Sequence, residues 1–91
     1  MRLRIVTPLS VVVDEDAVAA LRAEDASGGF GILPRHAEFL TSLVISVVSW
    51  KTQKGERRYC AVRRGVLSVT GGQAIDIATR DYVTVARLRG E

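Results

Sequence analysis

The chain has 91 residues, of which 47% are hydrophobic and 25% are charged, and this composition is typical of one soluble globular domain. No apolar run approaches the ~20 residues that a helix needs to cross a bilayer, and a single cysteine, Cys60, excludes an internal disulfide. Residues 1–50 carry a net charge of −2 and residues 51–91 a net charge of +5. This asymmetry suggests an acidic partner, and an ordinary solvated basic face is the alternative.

Short alternating runs predict β-strands in the first part of the chain. Residues 2–6 alternate polar and apolar side chains, residues 10–13 are rich in β-branched side chains, and residues 14–16 are three acids typical of a solvated turn. Residues 18–24 are rich in alanine and are compatible with a helix or a strand. We interpret them as a strand, because a helix of this length is marginal by itself. A turn is expected at residues 25–29, where Asp, Ser and Gly are favoured.

The second part of the chain has the stronger strand and hairpin signals. Gly71-Gly72 lies between two alternating runs and indicates a hairpin turn. The polar residues 51–56 are expected to form a hairpin loop, and Arg64-Gly65 a turn or a bulge. Residues 80–91 follow neither the helical nor the strand period. The predicted strands are residues 44–50, 57–63, 66–70 and 73–79.

Strands at this spacing, with turn signals between them, predict an all-β fold. We expect an antiparallel β-sandwich of two sheets, or a barrel, with roughly eight to ten short strands. The domain is expected to occupy residues 1–79, followed by a short tail at residues 80–91. These patterns alone assign no chemistry to the protein.

One stretch resembles the motif of a known family. Residues 28–37 read Gly-Gly-Phe-Gly-Ile-Leu-Pro-Arg-His-Ala, with three glycines in four residues. The spacing resembles the Gly-x-x-Gly-Ile-x-Pro-Gly-His-Ala motif of the epsilon subunit of rotary F-type ATP synthases. Residues 3–8 and 65–69 are also similar to that family, so the resemblance covers about residues 1–79.

The resemblance implies a β-sandwich at the foot of the central stalk that performs no bond chemistry and holds no cofactor. In that family the domain binds the gamma subunit and rests on the c-ring, and it meets the catalytic alpha/beta head only indirectly. The implied location is the cytoplasmic face of the cell membrane, reached only through the complex. The implied interface residues for gamma and the c-ring are Gly28, Gly29, Phe30, Gly31, Ile32, Pro34 and His36.

Several positions depart from the family pattern. Arg35 stands where the family has Gly, so this turn needs either an ordinary φ or a strained positive φ. Glu38 replaces a common Pro, and Gly29 stands where members often carry an acid facing the c-ring. Family members continue into a C-terminal helical hairpin that can inhibit ATP hydrolysis and in some cases binds ATP. Residues 80–91 are too short for that hairpin, so this chain is expected to support coupling without inhibition or ATP binding.

Some residues have alternative roles. His36, the single histidine, is expected to be hydrogen-bonded within its turn rather than to act as a catalytic base. Cys60 is expected to be a small buried hydrophobe rather than a reactive thiol. Phe30, expected at a turn tip, is the candidate for an exposed apolar contact residue.

The alternative function is a small basic β-barrel that binds single-stranded nucleic acid. The pairs Arg57-Arg58 and Arg63-Arg64 support it. Such barrels stack bases on aromatic side chains, however, and of two Phe, two Tyr and one Trp only Tyr59 is near these arginines in the sequence. We therefore favour the rotor interpretation, without a nucleic-acid partner.

Overall fold

The computed structural model describes residues 1–85, and every regular element in that range is a β-strand. The all-β class predicted from the sequence is confirmed. The strands are β1 (Arg2–Val6), β2 (Val11–Glu15), β3 (Val18–Asp25), β4 (Gly28–Ile32), β5 (Phe39–Leu43), β6 (Ser46–Thr52), β7 (Arg57–Thr70) and β8 (Ala74–Val85).

The strands form one hydrogen-bonded network that divides into two layers. Its order is β2-β1-β8-β7-β5-β3-β4, and β6 pairs with both β3 and β7. The first half of β7 pairs with β6 and the second half with β5, while β8 follows β7 along both halves. The long β7–β8 hairpin therefore belongs to both layers. Among the strand pairings of residues 1–85, only that of β1 with β8 is parallel.

The two layers share one hydrophobic core, as the sheets of a β-sandwich do. Leu3 and Ile5 of β1 pair with Ile75 and Ile77 of β8, and none of the four is more than 1% exposed. Burying such a side chain contributes about 1.5–3 kcal/mol to folding. The other layer adds further buried residues to the same cluster, among them Leu21, Ile32, Val48, Trp50 and Cys60.

The alanine-rich stretch is a strand, as predicted. β3 pairs with both β4 and β6, and its register to β6 shifts between Val18 and Ala20. Such a bulge aims Leu21 inward again after the shift, and Leu21 is 1% exposed. The helix propensity of alanine is weak, and the hydrogen bonding of β3 to β4 on one side and to β6 on the other overrides it.

The chain does not turn at Arg64-Gly65, where a turn or a bulge was expected. β7 continues through both residues. Its register with β8 is the same before and after them, because Arg63 pairs with Asp81 and Gly65 with Thr79. No residue is inserted, so the irregularity is a kink in which Arg64 takes a φ of 61°.

Three other boundaries differ from the prediction. Asp14 and Glu15 are part of β2 rather than a turn, because they pair with β1. The run predicted as one strand from residue 44 is preceded by β5, and the chain bends at residues 44–45 before β6 begins. β8 continues past residue 79, where the last predicted strand ends, to Val85. The rest of the expected tail, residues 86–91, lies outside the described residues.

Candidate protein interface

The motif forms a tight turn at residues 33–36, here called the Pro34 turn. The His36 amide donates a hydrogen bond to the Leu33 carbonyl at 3.1 Å, and Arg35 has a φ of 69°. Proline at the second position and a positive φ at the third are the features of a type II turn, which normally places glycine third. Of the two alternatives left open for Arg35, the structure has the strained one, which costs of order 1 kcal/mol or more.

His36 is hydrogen-bonded within the turn region, as predicted. Its Nδ1 lies 2.8 Å from the Ala37 carbonyl oxygen. A carbonyl only accepts, so Nδ1 carries the proton and donates it. The imidazole also meets the ring of Phe39 edge to face, with ring centroids 5.6 Å apart. These contacts occupy the side chain in a structural role.

Phe30 is not at a turn tip, which corrects the prediction. It lies within β4 opposite Ala23 of β3. It is half-buried against the core and meets Phe39 edge to face at a centroid distance of 5.5 Å. Phe30, Phe39 and His36 thus form one aromatic row that joins β4 to the Pro34 turn and β5.

The seven predicted interface residues fall into three classes of exposure. Phe30 and His36 are half-buried, whereas Ile32 is 0% exposed and belongs to the core. A direct contact of the Ile32 side chain with a partner therefore does not fit this structure, because β4 uses it to pack against the other layer. The exposed members are Gly28, Gly29, Gly31 and Pro34.

A second surface was missed in the sequence analysis. Ser42, Val66, Ala78 and Val6 lie side by side on β5, β7, β8 and β1, because each is the register partner of the next. They point to the outer face of their layer, and Val66 is 46% exposed. They form the floor of an open groove of about 690 Å³, here called the apolar groove.

The apolar groove has a basic and hydroxylated rim. Arg64 and Arg80 border it, and they occupy the position of the β7–β8 ladder where pairing is missing. Thr7 and Pro8 of the β1–β2 connection border it on another side. The sequence pattern could not reveal this surface, because its residues come from four strands and only alternate positions of each strand face outward.

The apolar groove and the Pro34 turn lie at different positions along the β7–β8 hairpin. Arg35 contacts the end of the hairpin at Gly72, whereas Val66 lies four residues before Thr70, the last residue of β7, which is roughly 13 Å at 3.3 Å per residue. The domain therefore has two separate candidate contact surfaces.

The described residues contain few features of other functional sites. Cys60 is buried, as predicted, and burial raises the pKa of its thiol. Within residues 1–85 no group of three or more His, Cys, Asp or Glu side chains is placed to hold a metal ion. The same part of the chain has no helix long and apolar enough to cross a membrane.

Comparison with known protein families agrees with the resemblance noted in the sequence. The family model of the ATP synthase delta/epsilon chain, beta-sandwich domain, matches residues 1–85. The chain is 52% identical over 80 residues to ATP synthase epsilon chain 2 of Paraburkholderia xenovorans, covering 88% of this chain and 58% of that relative. It is 45% identical over 83 residues to ATP synthase epsilon chain 2 of Cereibacter sphaeroides, covering 91% of this chain and 57% of that relative.

Solved structures share the fold at low identity. A chain of the Euglena gracilis mitochondrial ATP synthase OSCP/F1/c-ring structure superposes with a TM-score of 0.85 at 19% identity, covering 94% of this chain and 54% of that one. A chain of the Tetrahymena thermophila mitochondrial ATP synthase central stalk/c-ring structure superposes with a TM-score of 0.78 at 14% identity. The superposition covers 100% of this chain and 71% of that one. The chain spans a little over half the length of the two curated relatives. By its family match and its fold, it belongs to the delta/epsilon chains of ATP synthase, as a β-sandwich domain.

Proposed function

We propose that this chain is a non-catalytic rotor subunit of a proton-translocating F-type ATP synthase. It turns with the central stalk and couples ion flow to ATP synthesis or hydrolysis in another part of the complex. The observation that carries the proposal is the match of residues 1–85 to the beta-sandwich domain of the ATP synthase delta/epsilon chain. The Pro34 turn adds support, because the positive φ of Arg35, which is not glycine, is an outlier of the kind that clusters at contact sites.

The two surfaces suit two different partners. The Pro34 turn and β4 form a surface of backbone, glycine and proline, which fits the polar loops of the c-ring. The apolar groove fits the gamma subunit, since an apolar floor supplies affinity and the two rim arginines select acidic residues beside the docked segment. The excess of positive charge in residues 51–91 favours the same choice of an acidic partner.

The proposed location follows from these partners. The domain lies at the cytoplasmic face of the membrane and reaches the bilayer only through the c-ring. The catalytic alpha/beta head is an indirect partner, because the stalk separates it from this domain. No cofactor takes part in the proposed role.

The nucleic-acid alternative is weakened by the pairing of Arg58. Its Nε lies 3.0 Å from the Glu15 carboxylate and its terminal nitrogen 3.1 Å from Glu56. Two carboxylates beside one guanidinium offset its positive charge, so Arg58 attracts a phosphate more weakly than an unpaired arginine would. Tyr59, the aromatic residue that follows Arg58, is also half-buried and is therefore not a free stacking platform.

The experiment is a co-purification of the chain with the gamma subunit and the c-ring of a matched ATP synthase. Val66→Glu places a carboxylate on the floor of the apolar groove and is expected to lower recovery of gamma at least tenfold, about 1.4 kcal/mol. Val47→Glu is the matched control, because Val47 lies on β6 away from the groove and is 45% exposed against 46% for Val66. Equal recovery with both variants would contradict the placement of gamma, and no recovery with the wild-type chain would contradict the rotor function.

A further inference from the structure

The Pro34 turn contacts one residue of the β7–β8 hairpin, Gly72. The Arg35 amide donates a hydrogen bond to the Gly72 carbonyl at 2.7 Å. Gly72 is buried and has a φ of 69°. A Cβ atom at Gly72 would lie 2.8 Å from the Arg35 Cα, which is closer than such atoms pack, and 3.3 Å from the Arg35 carbonyl carbon, which is a tight contact. The two backbones touch only because Gly72 has no side chain.

This contact holds a conformation that the turn does not favour by itself. A left-handed arginine is disfavoured, and such a residue persists only when its surroundings impose it. The turn is exposed on its outer side, so the imposing contact has to come from inside, where Gly72 lies. The hydrogen bond from Arg35 also satisfies one backbone amide of the turn that would otherwise point toward the hairpin.

The hairpin end is itself fixed. The Gln73 amide donates to the Thr70 carbonyl at 3.2 Å, and the Arg2 amide donates to the Gln73 carbonyl at 2.7 Å. β1 therefore holds Gln73, and the neighbouring Gly72 holds Arg35. The Pro34 turn is tied through these two backbone hydrogen bonds to β1, which has a neighbouring strand on each side.

We propose that Gly72 is a positioning residue for the c-ring surface: it sets the shape of the Pro34 turn before the partner arrives. The inference rests on the proposed function. Preorganisation of this kind raises affinity, because the cost of ordering the turn is met during folding rather than during binding. Gly72 itself is buried beneath the turn and does not contact the partner.

The two glycines of the hairpin provide a matched pair of variants. Gly71 has a φ of 62° and Gly72 a φ of 69°, so an alanine has a similar backbone cost at either position. A Cβ at Gly71 meets nothing within 4 Å, whereas one at Gly72 meets Arg35. The difference between Gly71→Ala and Gly72→Ala therefore isolates the contact with the Pro34 turn.

The first measurement is amide hydrogen exchange on the isolated chain. Gly72→Ala is expected to speed exchange of the Arg35 amide at least tenfold relative to Gly71→Ala, since the hydrogen bond to Gly72 can no longer close. Amides of the central β7–β8 ladder, such as that of Leu67, should stay protected in both variants. Equal Arg35 exchange in the two variants would overturn the proposal.

The second measurement is binding of the full chain to the purified c-ring. Gly72→Ala is expected to bind at least tenfold more weakly than Gly71→Ala, which should match the wild type within about twofold. If Arg35 exchange rises but binding does not fall, Gly72 shapes the turn without serving docking, and the proposal is wrong. If the wild-type chain does not bind the c-ring, the proposed ring contact fails, and the exchange result separately reports whether Gly72 holds the turn.

A second variant covers the case in which Gly72→Ala does not fold. Arg35→Pro removes the amide that donates to Gly72 and forces a negative φ, while it leaves the hairpin unchanged. It should reproduce the loss of c-ring binding. Unchanged binding of Arg35→Pro would show that the shape of the turn does not matter to the partner.

Discussion

The hydroxyl oxygen of Thr79 lies 3.1 Å from the carbonyl oxygen of Arg64, across the kink in the β7–β8 ladder. Thr79 is 4% exposed. Its hydroxyl also lies 3.0 Å from the Asp81 carbonyl and accepts a hydrogen bond from the Asp81 amide at 3.3 Å. One side chain thus contacts the backbone of both strands beside the missing pair of Arg64 and Arg80, and its single proton is donated to one carbonyl at a time.

Replacing this hydroxyl should destabilise the domain. Thr79→Val keeps the shape of the side chain but removes the hydroxyl that hydrogen-bonds to this backbone, and a hydrogen bond of this kind contributes about 0.5–1.5 kcal/mol. Thr70→Val is the control, because Thr70 is an exposed threonine at the end of the paired strand β7, and an exposed substitution should change stability by less than about 0.5 kcal/mol. Urea unfolding of both variants is the measurement, and equal stabilities would refute a special role for Thr79.

The shared core should respond strongly to a cavity. Leu67 of β7 is 0% exposed and pairs with Ile77 of β8. Leu67→Ala is expected to cost about 2–5 kcal/mol, a large part of the roughly 5–15 kcal/mol that stabilises a domain. Leu40→Ala, on the neighbouring strand, removes a side chain that is 71% exposed and should change the unfolding midpoint little. A small effect of Leu67→Ala would mean that the two layers do not pack as described.

Local features of the chain could be predicted from the sequence. Strand alternation, the Gly71-Gly72 hairpin and the Pro34 turn each depend on residues close together in the chain, so pattern rules apply to them. The all-β class follows from the same rules.

Features that depend on distant residues could not be predicted. Whether the chain turns at Arg64-Gly65 depends on β8, which pairs on both sides of the kink. Whether Arg35 takes a positive φ depends on Gly72, and its own neighbours leave both alternatives open. The apolar groove needs four strands in register, and the partial burial of Phe30 depends on its packing against the core and against the ring of Phe39.

The aromatic row should show measurable coupling. Phe30 and Phe39 meet edge to face, and such pairs contribute about 0.5–1.5 kcal/mol beyond the area that they bury. A double-mutant cycle with Phe30→Leu, Phe39→Leu and the double variant is expected to give a coupling energy in that range. Additive effects would show that the two rings are independent.

The stability of the domain should fall at alkaline pH in part because of Cys60. Burial raises the pKa of its thiol in the folded state, whereas the pKa of an unfolded cysteine is about 8.5. The unfolded chain therefore loses its proton first. Stability from this group is complete below that pH and decreases as the pH rises toward the folded-state pKa.

The variant Cys60→Ala separates this effect from other alkaline titrations. It lacks the thiol, so its unfolding free energy should decline less between about pH 8 and pH 10 than that of the wild type, although its absolute stability is lower because of the lost side-chain volume. Urea unfolding at a series of pH values gives both curves, and their difference isolates Cys60.

Alkylation by iodoacetamide is an independent check: labelling of folded protein should be slow and should accelerate on unfolding, because only the exposed thiolate reacts. If the stability–pH curves of the wild type and Cys60→Ala were parallel and the folded chain were labelled rapidly, the thiol would be open to water. The core around Val48 and Cys60 would then not be closed to solvent.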